Sequence, residues 1–346
     1  MSTTPFGRSR RAYRIDDTSS RVFTDAERKK LELIALGRFQ FPKDAAVEHH
    51  HPCQRGIEGR PYRKQEKAAH DRAVRLLAAS QFRYDQETAL SLALCRPELP
   101  CRSALCWLCK HRYARCRQRQ AWADFQAIPQ DQLCHVTVLA RAVYGGVHEI
   151  EEAIATIKKM VRDAIRRAAK DKPAFLKIQW IGYFEIDFYR SSDIDLRSRK
   201  GKTLAEVEGF DADSCQPLQL VHFHLLVALN GVKGEELKRF QKQLFPGSWR
   251  VEVKPLDPKK SKEANVQRLA AYMSKCHPVY QEATLPSDKA PRGRGRYDRP
   301  FDDADLLYHA RLHEHHGGLG GTFKFDLGLG RNDGLSTPTH DDRRRR

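Results

Sequence analysis

The sequence predicts an α+β fold: a central antiparallel sheet of split β-α-β type with helices on one side. From residue 129 onward the hydrophobic pattern reads strand, helix, strand, strand, helix, strand, which is the order of that arrangement. Before residue 95 apolar residues recur only at helical spacing. Four regions follow: a basic, partly disordered helical region (1–94), a Cys-rich, zinc-like knob (95–128), the sheet domain (129–278) and a basic, mostly disordered tail (279–346).

The composition favours a nucleic-acid partner. The 346 residues include 62 Lys and Arg against 44 Asp and Glu, and the net charge of +18 concentrates polyanions near the protein. No apolar run approaches the ~18 residues of a membrane span, and the N-terminal stretch is polar, so we expect a soluble cytoplasmic chain. In that compartment the nine cysteines are thiols or metal ligands rather than disulfides.

Three helices are predicted in the first region. Thr24 and Glu27 have the spacing of a capping box, which opens a helix that ends at Gly37. Apolar residues at helical spacing predict two more helices, over about 64–82 and 85–94. The role of this region does not follow from its sequence.

Four cysteines mark the second region: Cys95, Cys101, Cys106 and Cys109. Thiols this close together, the last two as C-x-x-C, can close a tetrahedron around a structural zinc ion. Cys116 or His111 could substitute as a ligand, and buried thiols in a helical region are the alternative interpretation. Flanking arginines, Arg112 and Arg115 among them, suit a surface that faces phosphate groups.

The sheet domain places carboxylates on a core strand. A strand over 134–139 is followed by a helix over 150–168, whose apolar stripe lies opposite a basic face. The next strand, 178–188, alternates so that Glu185 and Asp187 lie on one face. A carboxylate midway along a core strand is costly unless something binds it. Glu185 is therefore the predicted ligand of a metal ion, and Asp187 is the second choice.

Two histidines lie within the apolar run over 220–229. Because side chains alternate across a strand, His222 and His224 project from the same face. A sheet can present two imidazoles to one ion in this way. The alternative is that one histidine is a core residue and the other lies at a strand end.

A helix predicted over 263–276 carries Arg268, Tyr272 and Lys275 on one face. An exposed tyrosine carries no function by itself. Here, however, a single short strand over 249–254 ties this helix to the histidine pair and the core glutamate, so Tyr272 is a candidate nucleophile beside a metal ion. Lys275, one helical turn from the phenol, is the cation expected to favour the phenolate.

The tail is rich in Gly, Pro and charge. Its basic stretches over 292–297 and 343–346 are typical of disordered arms that add nonspecific grip on phosphate. Four histidines are expected to form a solvated cluster, with a second metal site as the lesser alternative: His309, His313, His315 and His316.

These motifs together resemble the rolling-circle replication initiators of the HUH endonuclease superfamily, of the plasmid and phage type. Three motifs occur in the family's order: the Thr-bearing strand 135–139, the pair His222-Phe223-His224, and the tyrosine helix 271–275. The Glu185 strand is similar to the family's carboxylate-bearing strand, and the cysteines are similar to a cluster of some plasmid initiators. The resemblance covers roughly residues 95–278.

The resemblance implies an HUH-type fold and a site-specific enzyme that nicks and rejoins single-stranded origin DNA. Mg²⁺ or Mn²⁺ would be held by His222, His224 and Glu185, and Tyr272 would form a 5′-phosphotyrosine. It also implies a bacterial, DNA-associated protein that works with a host helicase and polymerase. The basic residues expected to contact DNA are Arg112, Arg115 and Arg268.

Three alternatives stay open. Tyr280 follows Tyr272 by eight residues, and a second nucleophile there would make two-tyrosine phage initiators the closer analogue. An HUH-type transposase would use the same chemistry at the ends of a mobile element. A noncatalytic zinc-bearing DNA-binding regulator would use His222 and His224 only as structural residues.

Overall fold

A computed structural model of the chain describes residues 22–39, 60–96, 99–214, 216–272, 279–280, 299–321 and 323–328. Lys275, the side chain of Tyr280 and the basic stretches 292–297 and 343–346 lie outside the described residues. The N-terminal residues 1–21 lie outside them as well.

A six-stranded sheet forms the centre of the described structure. Its strands are β1 (Leu133–Val143), β2 (Gln179–Tyr189), β3 (Leu218–Ala228), β4 (Val251–Pro255), β5 (Val279–Tyr280) and β6 (Arg299–Pro300). They lie in the order β4-β1-β3-β2-β5-β6. The four long strands pair antiparallel, and β3, the central one, is buried along its whole length. The α+β class and the antiparallel sheet predicted from the sequence are confirmed.

Nine α-helices surround this sheet in the described residues. They are α1 (Asp25–Ala35), α2 (Arg60–Ala79), α3 (Arg83–Ala93), α4 (Trp107–Phe125), α5 (Val147–Asp171), α6 (Arg199–Ala205), α7 (Gly234–Leu244), α8 (Lys262–Tyr272) and α9 (Asp303–His315). The capping box predicted at Thr24 is confirmed, with Glu27 N–H donating to Thr24 Oγ1 at 3.2 Å. None of the described helices is both long enough and apolar enough to cross a bilayer.

Helices cover both faces of the sheet, so the prediction of helices on one side is wrong. On one face Phe245, at the end of α7, packs against Phe223 of β3. On the other face Tyr113 of α4 contacts Tyr183 of β2, and Tyr272 of α8 contacts His224 of β3. The physical reason is the composition of β3, which is apolar on both faces and therefore needs cover on both.

The C-terminal edge segment, residues 323–327, extends the sheet beside β2. Trp180 and Leu327 exchange two backbone hydrogen bonds of 3.0 Å, and Phe325 N–H donates to the Gly182 carbonyl at 3.0 Å. A Cβ at Gly182 would lie 2.6 Å from the Phe325 carbonyl oxygen, so only glycine permits this approach. The prediction of a mostly disordered tail is therefore wrong for α9 and for this segment.

Three of the four histidines expected to be solvated are buried instead. His309, His313 and His316 are at most 5% exposed, and they pack against the rings of Phe301 and Phe323. Burial, with a smaller contribution from Lys110, lowers the pKa of His309 to about 3. These imidazoles act as apolar packing groups, which is why a simple hydrophobic pattern misses them.

Replacing Phe325 by alanine should destabilise the protein. Its fully buried ring contacts Trp180, Phe184 and Phe223, so Phe325→Ala leaves a cavity and should lower the free energy of unfolding by about 3–5 kcal/mol. Denaturant unfolding followed by circular dichroism measures this change. Leu176→Ala, at a residue 64% exposed, is the control and should change stability by less than about 0.5 kcal/mol. Equal effects of the two changes would contradict the packing of this segment.

Candidate functional site

The four predicted cysteines converge on one point between α3 and α4. The Sγ atom of Cys95 lies 3.6 Å from that of Cys109 and 3.5 Å from that of Cys106, and Cys101 Sγ lies 3.6 Å from Cys109 Sγ. Zn–S bonds of about 2.3 Å in a tetrahedron separate the sulfurs by about 3.8 Å, whereas a disulfide holds them about 2.05 Å apart. The cluster can therefore hold a metal ion such as zinc.

Backbone geometry prepares two of these sulfurs for a thiolate state. Cys101 N–H donates to Cys95 Sγ at 3.4 Å, and Arg102 N–H donates to Cys109 Sγ at 3.3 Å. Arg102 adopts a φ of 64°, which turns its N–H toward the cluster. Hydrogen bonds from neighbouring thiols, Cys101 first, lower the pKa of Cys95 and of Cys109. The suggested substitutes His111 and Cys116 are not part of the group.

The cysteine cluster predicts one zinc ion per chain. Cys106→Ser should remove most of the zinc and lower Tm, because a ligand is lost from a site that joins α3 to α4. Elemental analysis and thermal unfolding measure the two effects. Cys116→Ser is the matched control, since Cys116 is on α4 but outside the cluster, and it should keep its zinc. If the Cys106 variant kept its zinc and the Cys116 variant lost it, Cys116 rather than Cys106 would be the ligand.

A second cluster lies where the three central strands meet. The strand register places Glu185 of β2 opposite His222 of β3, and Tyr183 opposite His224. Glu185 Oε2 lies 3.4 Å from His224 Nε2 and 3.9 Å from His222 Nε2. The two histidines and the glutamate predicted from the sequence are thus brought together, with one ligand atom from each within 4.8 Å of the others.

The donor set fits a divalent cation. Both ring nitrogens of His222 and Nε2 of His224 are buried without a hydrogen-bond partner. Thr137 Oγ1 lies 2.9 Å from His224 Nδ1; when that nitrogen donates its proton to the hydroxyl, Nε2 keeps the lone pair a metal ion needs. Ligand atoms about 2.1 Å from a shared ion lie about 3.0–3.4 Å apart when adjacent, which matches the 3.4 Å between Glu185 and His224.

Asp187 adds a second carboxylate beside His222. Its Oδ1 lies 3.5 Å from His222 Nε2. Burial raises the pKa of Asp187, but His222 lowers it more, to about 2. Burial alone would lower the pKa of His222. The nearby carboxylates of Asp187 and Glu185 raise it by more, so the pKa of His222 lies above its ordinary value. Asp187 thus stays ionised and orients His222, while Glu185 faces both imidazoles.

Tyr272 lies against His224. Its ring centroid is 5.2 Å from that of His224, in an edge-to-face arrangement, and it is carried by α8. Gln118 of α4 donates to the Gln267 carbonyl at 3.2 Å, so α4 braces the helix that carries the tyrosine. The predicted nucleophile and the predicted ligands therefore share one pocket.

His135 is a member of this pocket that sequence reasoning did not assign to it. Its ring stacks on His224 with centroids 5.6 Å apart and meets Tyr272 at 6.5 Å. Burial, followed by the charges of His224, Lys254 and Arg268, lowers the pKa of His135 to about 3. The available signal was the alternation of His135 and Thr137 on one face of β1.

The predicted DNA-contacting arginines lie around the same face. Arg268 precedes Tyr272 by one turn of α8, and Arg112 and Arg115 lie on α4, the helix that packs against α8. All three are partly exposed. Lys275, the predicted cation beside the phenol, lies outside the described residues, whereas Lys254 and Arg268 are close enough to act on His135.

No family model, curated protein or solved structure matches this chain.

Proposed function

We propose that this protein nicks and rejoins single-stranded DNA through Tyr272, as an HUH-type initiator of rolling-circle replication. The observation that carries the proposal is the contact between Tyr272 and His224, 5.2 Å between ring centroids, beside a group of two histidines and a carboxylate that could hold a metal ion. The net charge of +18 supports a polyanionic substrate.

In the proposed reaction Tyr272 attacks a backbone phosphate as the phenolate. The phenolate oxygen forms a bond to phosphorus, the bond to the 3′ oxygen breaks, and that oxygen takes up a proton. The products are a 5′-phosphotyrosine and a free 3′ hydroxyl, which a host polymerase can extend once a host helicase opens the duplex. An incoming 3′ hydroxyl reverses the step and rejoins the strand without ATP, because the phosphodiester bond is conserved throughout.

Each polar residue of the pocket has a place in this scheme. Mg²⁺ or Mn²⁺ bound by His222, His224 and Glu185 would supply Lewis-acid stabilisation of the charge on the scissile phosphate. Thr137 fixes the ring of His224, as its 2.9 Å contact with Nδ1 indicates. Asp187 would orient His222 through its 3.5 Å contact with Nε2, the nitrogen that Glu185 also approaches.

The phenol needs nearby positive charge. An unperturbed tyrosine has a pKa of about 10, and a cation close to the hydroxyl favours the phenolate. Arg268 and Lys254 act electrostatically on the neighbouring His135, and their positive charge would favour the phenolate of Tyr272 as well. His135 is neutral at pH 7, so its ring packs the tyrosine without competing for the DNA phosphate.

Tyr272→Phe tests the nucleophile. The variant loses the phenol oxygen and should form no covalent complex with a nicked single strand, while its affinity for the strand should change by less than about threefold. Incubation with an origin oligonucleotide and Mn²⁺, followed by a denaturing gel, measures the adduct. Tyr280→Phe is the control and should keep the adduct. An adduct that survives in the Tyr272 variant and disappears in the Tyr280 variant would move the nucleophile.

His224→Ala and Glu185→Gln test the metal-binding set. Each should lower the nicking rate at least about 100-fold and raise the Mn²⁺ concentration needed for half-maximal rate, because a ligand is removed. Lys159→Ala, at an exposed residue of α5, is the control and should nick at the normal rate. Nicking by the unaltered protein in excess chelator would contradict the role of the cation. A protein that binds DNA but never forms an adduct would favour the noncatalytic regulator.

A further inference from the structure

A third group of metal-ligating side chains lies far from both clusters in sequence, between α5 and α9. His148 and Glu151 are three residues apart in the first turns of α5, and His315 is the last residue of α9. The rings of His148 and His315 lie 5.0 Å apart at 88°, and His315 Nε2 lies 3.3 Å from Glu151 Oε2. One ligand atom from each residue lies within 4.8 Å of the others.

We propose that His148, Glu151 and His315 bind a divalent ion of the Zn²⁺ class, and that this ion clamps α9 to α5. The i, i+3 spacing places His148 and Glu151 on one face of their helix, and His315 completes the set from a different element. Two imidazoles and one carboxylate are ligands that zinc prefers, whereas Mg²⁺ prefers oxygen alone. The site is at the surface, where water completes the coordination.

The clamp has a mechanical consequence for the sheet. The N-terminal half of α9 is held by the helical region, through Arg72 Nε to Asp303 Oδ1 at 2.6 Å. Its C-terminal end leads, within eight residues, to the edge segment that pairs with β2. An ion that holds His315 against α5 would therefore hold the start of the segment that leads from α9 to the edge of the sheet beside β2. β2 also carries Glu185, so the clamp stabilises the strand that supplies a pocket ligand.

Zinc titration of the full chain tests the site. The titrated protein keeps the metal bound at its cysteines. It also carries His222→Ala and His224→Ala, which prevent metal binding at the central cluster. Calorimetry with Zn²⁺ in excess Mg²⁺ should find one further ion per chain. Adding His148→Ala or His315→Ala should weaken that binding at least about tenfold, because loss of a ligand costs no less than loss of its supporting partner. Glu152→Gln, at an exposed neighbour in α5, is the control and should bind Zn²⁺ normally.

Hydrogen exchange tests the clamp itself. Zn²⁺ should slow exchange of the Phe325 and Leu327 amides, which bond to β2, and should raise Tm by about 5 °C at one hundred times Kd. Both effects should disappear in the His315→Ala variant, whose fold circular dichroism verifies. Zinc binding that is equal in the histidine variants and the control overturns the site. Binding without slower exchange overturns the clamp.

Discussion

The structure depends on the burial of β3 between β1 and β2. Every residue of this strand is inside, so each side chain has to be apolar or to meet a partner. His222 and His224 break that pattern with three ring nitrogens that have no hydrogen bond. An unsatisfied buried polar group costs about 1–3 kcal/mol, so the pair destabilises the folded protein while its nitrogens have no partner. A ligand that binds those nitrogens would remove the cost, and together with Glu185 this makes the pair a candidate metal site.

The thiol cluster and the histidine pocket are mechanically linked. Cys106 precedes α4 and Cys109 lies in its first turn, so the cluster fixes the start of this helix. Further along, Gln118 donates a hydrogen bond to α8, the helix that carries Tyr272. The orientation of the tyrosine thus depends on a helix anchored by thiols. A metal ion at the cysteines would act on the pocket through packing, without touching it.

Local patterns in the sequence were sufficient for the four long strands and for the residues that the central cluster brings together. Alternation alone placed Glu185 and both histidines on common faces, and only the strand pairing was left to bring them together. The edge segment could not be found in this way, because Phe325 pairs with a strand about 140 residues earlier and its own run is too short to show a period. His135 was missed for a related reason. Its role appears only when β1 is placed in register beside β3.

The histidines and the carboxylate of the pocket lie on strands of the sheet, whereas Tyr272 lies on a helix. The imidazoles and the carboxylate project from neighbouring strands whose backbones are hydrogen-bonded on both sides, so their spacing is fixed before any ligand binds. Tyr272 instead projects from α8, and its ring contacts those of His135 and His224. In the proposed reaction the phenol becomes bonded to DNA, so it would have to move with the phosphate and later return. A phenol on a helix rather than on the sheet could move in this way without displacing the histidines and the carboxylate on the strands.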